Sequence, residues 1–264
     1  MLTGLLLALI LPVTGATKTV DSLAAAQARG LQIFTEADQR QSGYGDMEVA
    51  LTMILRTAKG TETERALNIR QMEMPADGDR VLIEFESPAD IRGTALLSHA
   101  HKTADDDQWL FLPALRRVKK VALRNRNGAF LGSEFTFEDL AVPELEKYDY
   151  QYLRDDVLDG VPMYVVQRIA RSKYSGYSRE VFWIDQEHFR AQQVEYFDED
   201  NRQTKLLRFS DYHLYADRFW KAGHMSMSNL ESGKSTDLIW QDYRFGNGLQ
   251  PDRDFSINTL RRIR

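Results

Sequence analysis

Between residues 47 and 56 the chain alternates, with Met47, Val49, Leu51, Met53 and Leu55 on one side and Glu48, Ala50, Thr52, Ile54 and Arg56 on the other. That period of two predicts a strand with one fully apolar face. Lys59-Gly60-Thr61 supplies its turn, a second strand follows near 64–73, and a third sets Val81, Ile83 and Phe85 against Glu84 and Glu86 before Ser87-Pro88 closes it. Consecutive strands at this spacing favour an antiparallel meander. The same reading predicts strands around 95–101, 108–112, 116–123 and 134–137, then at 163–169, 179–185, 191–197, 205–212, 221–229 and 237–243. Polar turns such as Asp159-Gly160 and Glu231-Ser232-Gly233-Lys234 separate them. Helical spacing is confined to 21–41, where Leu23, Gln27, Leu31 and Phe34 recur at turn intervals between an Asp21 or Ser22 cap and a Ser42-Gly43-Tyr44-Gly45 stop, and to a short helix at 143–148 opened by Pro143. Many strands and little helix predict an all-β sheet curling into a barrel.

The first thirteen residues, Met1-Leu-Thr-Gly-Leu-Leu-Leu-Ala-Leu-Ile-Leu-Pro-Val13, form a short apolar run ending in Thr14-Gly15-Ala16. This is a secretory leader over 1–16, too short to stay as a membrane anchor, although it lacks the usual basic residue ahead of the run. Residues 17–264 then read as a single domain, with no Pro/Ser linker and no fixed repeat. Zero cysteines exclude a disulfide framework, a thiol nucleophile and a lipid-modified N-terminal cysteine. A net charge of -5 argues against nucleic acid as a partner, because phosphate contact needs a positive field.

Two blocks in the middle carry most of the information: Asp107-Gln-Trp-Leu-Phe-Leu-Pro-Ala-Leu-Arg-Arg-Val-Lys-Lys-Val121 and Phe130-Leu-Gly-Ser-Glu-Phe-Thr-Phe-Glu-Asp-Leu140. Together with Pro88-Ala-Asp-Ile-Arg-Gly-Thr-Ala-Leu-Leu97 they resemble, in order and spacing, the LolA-like outer-membrane lipoprotein-sorting family. Glu134 stands where that family usually has Asp, and Phe111 and Phe137 where it often has Tyr. The resemblance implies a mainly β, half-open antiparallel barrel wrapped around one or a few helices, with an apolar interior for acyl chains and a periplasmic location. It implies lipid or acylated lipoprotein as cargo, with an inner-membrane lipid transporter and an outer-membrane acceptor as candidate partners.

Alternation puts Trp109 and Phe111 on one face, and with Phe135, Phe137, Trp183, Tyr196, Met225 and Met227 they are the expected lining of that interior. Phe209 and Trp240 are further candidates for the same face. As plain core residues all of them would need no cargo. Arg116, Arg117, Lys119 and Lys120 crowd one strand of an acidic protein, suiting either an edge guarded against strand pairing or a dock for a partner or lipid head group. Glu134, Glu138 and Asp139 are possible ion partners for it. His99 and His101 share a strand face ahead of Asp105, Asp106 and Asp107 but lack a third ligand at a metal-binding spacing, and Gly233-Lys234-Ser235-Thr236 lacks the first glycine of a phosphate loop. With no catalytic motif either, the sequence predicts a binding protein with no metal, no cofactor and no covalent chemistry, its alternative being an accessory subunit docked on a lipid-exporting transporter. If the leader is cut as read, N-terminal sequencing of exported protein begins at or within a few residues of Thr17; an intact Met1 on cytoplasmic protein would reject export.

Overall fold

The computed structural model describes residues 15–263, with side chains from Ser22 onward, so the leader apart from Gly15 and Ala16 lies outside the described residues. In chain order the elements are α1 (Gly15–Gln41), β1 (Asp46–Arg56), β2 (Glu62–Met72), β3 (Arg80–Ser87), β4 (Ala95–His99), β5 (Asp107–Leu112) and β6 (Arg117–Lys120). After a long irregular segment, 121–147, come β7 (Tyr148–Leu158), β8 (Val161–Ala170), β9 (Arg179–Asp185), β10 (Ala191–Phe197), β11 (Gln203–Tyr215), β12 (Phe219–Asn229) and β13 (Ser235–Phe245). Two short helices, α2 (Pro251–Asp254) and α3 (Ile257–Leu260), end the chain.

All 13 strands form one antiparallel sheet in the order β6-β5-β4-β3-β2-β1-β13-β12-β11-β10-β9-β8-β7. Two meanders are joined where the first strand pairs with the last, through Leu51 opposite Trp240 and Met53 opposite Leu238. The sheet is not closed: β6 and β7 are its free edges. This is the half-open form that the family resemblance implies.

Register separates two faces. The inner face runs through Leu51 and Met53, Leu67 and Ile69, Ile83 and Phe85 on one side of the join, and through Leu238, Met227, Leu207, Val194, Phe182 and Val166 on the other. It is covered by α1, which inserts Ile33, and by segment 121–147, which inserts Phe130 and Phe135. Gly30 allows α1 to approach β7 closely, since a Cβ there would lie 2.7 Å from the backbone nitrogen of Tyr152.

The opposite face is apolar in two places. Met163, Val165, Val181 and Trp183 form one patch on β8 and β9. The other, Leu82, Ala95, Leu97 and Phe111, is roofed by Leu249, Phe255 and Leu260 of the C-terminal segment. That segment is tied down by the buried Asp46 carboxylate, which accepts the backbone N–H groups of Asn247, Gly248 and Leu249 at 2.6, 3.0 and 3.2 Å.

Several expectations are corrected. Residues 134–137 form no strand; a single bridge joins Ala129 to Thr136 within a turn-rich loop. The short helix at 143–148 is one 3-10 turn, Leu145–Lys147, and β6 is shorter than 116–123. β7 was not expected, although Tyr148, Tyr150 and Tyr152 alternate correctly for it. In α1 the buried stripe is Gly30 and Ile33, whereas Leu23 and Leu31 are each 46% exposed. The C-terminal roof makes a direct prediction: Phe255, 1% exposed, leaves a closed cavity when cut to alanine. Phe255→Ala should lower unfolding free energy by about 3–5 kcal/mol in a urea titration, and a loss below ~1 kcal/mol would show the roof to be loosely attached.

Candidate functional site

Once α1 and segment 121–147 are seated, much of the inner face is filled by the chain itself. Phe34 of α1 lies 4.7 Å from the Tyr150 ring and 5.0 Å from that of Phe182, and Phe130 lies 5.6 Å from Phe85 and 5.4 Å from Phe137. The loop is held by polar bonds as well as by rings. Asp139, half-buried, accepts the Thr136 amide at 2.7 Å, the Thr136 hydroxyl at 2.8 Å and the Tyr177 hydroxyl at 3.0 Å. Burial raises its pKa, making it a weaker acid, and the nearby Lys205 opposes that shift. Lys205 Nζ donates to the Glu134 carbonyl at 2.7 Å, and Asn229 donates to the Glu134 carboxylate at 2.7 Å. Glu134 thus latches the loop onto β11 and β12, while Glu138 and Asp139 tie it to Gly176 and Tyr177 between β8 and β9; among the described residues none of the three carboxylates forms an ion pair with the basic strand β6. Beside the latch, Arg168 makes a two-pronged pair with buried Glu180 at 2.7 and 2.8 Å, beneath the rings of Tyr148 and Phe182.

The less deeply buried part of this face is apolar too. Trp240, Met225, Phe209 and Tyr243 on β11 to β13, with Tyr164 and the turn residue Phe189, are only partly buried against the core. Arg29 and Arg40 of α1 lie over Tyr164 and Phe189, at 5.0 and 4.5 Å from the ring centres. The Trp240 indole Nε1–H is buried without a hydrogen-bond acceptor among the described residues. On the other side of α1, a groove of about 590 Å³ runs to the β7 edge, lined by Ala28, Leu31, Leu145, Tyr148, Tyr150 and Arg171 among others. The exposed Leu31 therefore borders a recess in which aliphatic and aromatic side chains alternate with Gln27, Glu146, Asp149 and Arg171.

Of the expected lining residues, Phe135, Phe137, Tyr196, Met225 and Met227 meet on the inner face. Trp109, Phe111 and Trp183 do not. Trp109 and Phe111 pair with Leu97 and Ala95 on the face roofed by the C-terminal segment, and Trp183 lies in the patch with Val165. The alternation was right and its direction wrong, because a strand apolar on both faces gives no sign of which face looks inward. Phe34 was read as part of the α1 stripe but not as lining, and Tyr150 was missed because it lies on the unexpected strand β7.

His99 Nε2 donates to the Phe255 carbonyl at 2.7 Å, and burial lowers its basicity; His101 Nδ1 lies 2.8 Å from Asp77. Both imidazoles are thus engaged in holding the chain. Arg117, Lys119 and Lys120 lie on the free edge β6, with Arg116 just before it, all four exposed.

A half-open antiparallel sheet with helix and loop seated in it, and apolar side chains across its inner face, defines a carrier-type fold. A family model described only as an uncharacterized protein matches residues 77–262. Among solved structures, a domain assigned by name to outer membrane lipoprotein sorting, from Vibrio parahaemolyticus, is 41% identical with a TM-score of 0.87, covering 89% of this chain and 100% of that one. A DUF1329 family protein from Desulfovibrio piger is 25% identical with a TM-score of 0.83, over 89% and 99% of the two chains. A LolA superfamily protein from Nitrosomonas europaea shares the fold, at 19% identity and a TM-score of 0.70 over 87% and 98%. No curated protein matches. The chain belongs to the LolA-like outer-membrane lipoprotein-sorting family.

At the end of α1 an acidic cleft of about 340 Å³ brings together Asp38, Glu73, Asp79, Glu144 and Glu146 with Lys102. Burial, then neighbouring carboxylates, raises Asp38; burial also raises Asp79 and pushes Glu144 up to about 6. A carboxyl group raised in the fold opposes folding once ionised, so this part of the stability is intact at low pH and is lost as pH rises through roughly 4.5 to 6. Glu144→Gln, which keeps an oxygen for the Asp79 amide, should leave the urea midpoint unchanged at pH 4.5 and raise it at pH 7. Half-burial screens the effect to under about 1 kcal/mol. Equal midpoint changes at both pH values would disprove the strain.

Proposed function

We propose that this protein is a periplasmic carrier that takes the acyl chains of a lipid or lipoprotein into its inner face and passes them toward the outer membrane. Residues 17–264 would act as one domain after removal of the leader. The reading is supported by one observation above others: on an inner face otherwise filled by the chain's own phenylalanines, Trp240, Met225 and Phe209 are only partly buried, and a groove runs along Leu31 to the β7 edge. Neighbours named for lipoprotein sorting and the LolA superfamily support the same class of cargo.

Binding would be non-covalent and tolerant. Each methylene removed from water contributes roughly 0.8 kcal/mol, so part of one acyl chain supplies several kcal/mol without polar recognition. Methionine and aromatic walls adapt to chains of differing shape. The indole N–H of Trp240 offers an unused donor to an ester or carboxyl oxygen of the cargo. The extent to which Phe34, Phe130 and Phe135 fill the interior favours a second reading, an accessory subunit of a lipid transporter whose inner face carries nothing.

Native mass spectrometry of protein purified without detergent separates the two, with lipid adducts expected for the carrier and bare protein for the subunit. In displacement of a fluorescent fatty acid, Leu31→Asp and Met225→Asp should each weaken binding about tenfold or more while circular dichroism stays native. Trp240→Phe should cost about fivefold for an ester ligand. Bare protein that binds no fatty acid would reject the carrier.

A further inference from the structure

The rim at the β6 edge takes no part in the inner face just described. Pro113–Leu115 forms one 3-10 turn, closed by Arg116 in the left-handed region at φ 48 and ψ 38. Leu115, at the apex, is 61% exposed, and the four basic residues that follow it are exposed too, as is Arg124. Lys120 is paired with Asp107 at 2.5 Å and lies over the Trp109 ring. Arg116, Arg117, Lys119 and Arg124 have no carboxylate in ion-pair range among the described residues. Val118, between them, packs on the apolar patch that also receives Ile263, which brings exposed Arg261 and Arg262 to the same flank of the sheet. In a chain of net charge -5 this is a local excess of positive charge.

Protecting a sheet edge from strand addition takes a lysine or two, and a strand of four residues is already too short to recruit another chain readily. The remaining cations, and an apolar side chain held in solvent among them, need a different account. A bilayer that carries anionic phospholipid accepts both features: basic side chains gain about fivefold in partition each near its phosphates, and a leucine enters the boundary between head groups and acyl chains. An acidic protein surface would take the cations and give Leu115 no role. We propose that the β6 rim docks this protein on an anionic membrane, with Leu115 inserted and Arg116, Arg117, Lys119 and Arg124 on the phosphates. The inner face is a separate surface, so docking and acyl binding fail independently.

Purified protein is sedimented with vesicles of phosphatidylcholine, with and without phosphatidylglycerol. It should partition only onto the anionic vesicles, and less as salt rises. Arg117→Gln with Lys119→Gln should lower partition at least tenfold, and Leu115→Ser severalfold. Lys59→Gln with Lys234→Gln, an equal charge change on exposed hairpin turns elsewhere, should leave it unchanged. All these side chains are exposed, so melting temperatures should match the parent. No partition onto anionic vesicles, or equal loss in the Lys59 and Lys234 control, overturns the proposal. Partition insensitive to Leu115→Ser also overturns it, and would assign the rim to an acidic protein partner.

Discussion

Asp139 holds the molecule in its working shape. A sheet with two free edges cannot bury its inner face by closing, so something from outside the strands must cover it, and 27 residues between β6 and β7 do much of that work. Such a loop has few backbone ladder bonds of its own. Its position depends on the half-buried Asp139 carboxylate, which gathers the amide and hydroxyl of Thr136 and the hydroxyl of Tyr177, and on Glu134, whose carbonyl and carboxylate are bound by Lys205 and Asn229. Leaving any of these polar groups unpaired inside would cost more than the bond returns when made, so the latch tolerates little change and the loop stays where Phe130 and Phe135 reach the core.

That solution has consequences for binding. The loop and α1 fill one part of the inner face with aromatic rings, so the room for the proposed cargo is what they leave over, along β11 to β13 and beside the β7 edge. On the helix side, α1 is held against β7 by the close approach at Gly30 and by the packing of Phe34 on the Tyr150 ring. The two faces of the sheet serve different ends: one is partly open, the other is sealed where the Asp46-anchored tail crosses β3 to β5.

The family signature is distributed across these roles. The first block supplies Trp109 and Phe111 to the sealed face and the cations to the rim, and the second supplies the loop that covers the inner face. A motif dense in large aromatics and charges thus marks the parts that hold an open barrel together and expose one edge of it, more than it marks the walls of the space inside.

Local pattern was enough to read most of the strands, the single long helix, the absence of thiol chemistry and, through the two central blocks, the family. Period-2 alternation is fixed by backbone geometry and survives any tertiary arrangement, which is why β1, β3 and β8 to β13 were legible. Direction was not. Trp109 and Phe111 sit on a strand apolar on both sides, and only the arrival of Leu249, Phe255 and Leu260 from the far end of the chain decides that their side is the sealed one. For α1 the pattern offered Leu23 and Leu31, while contact with β7 selected Gly30 and Ile33, because a close helix-to-strand approach rewards the smallest residue and not the most apolar one. The sequence by itself determined which residues alternate and which are charged; which side of each strand became interior was decided by segments distant in the chain that compete to cover it.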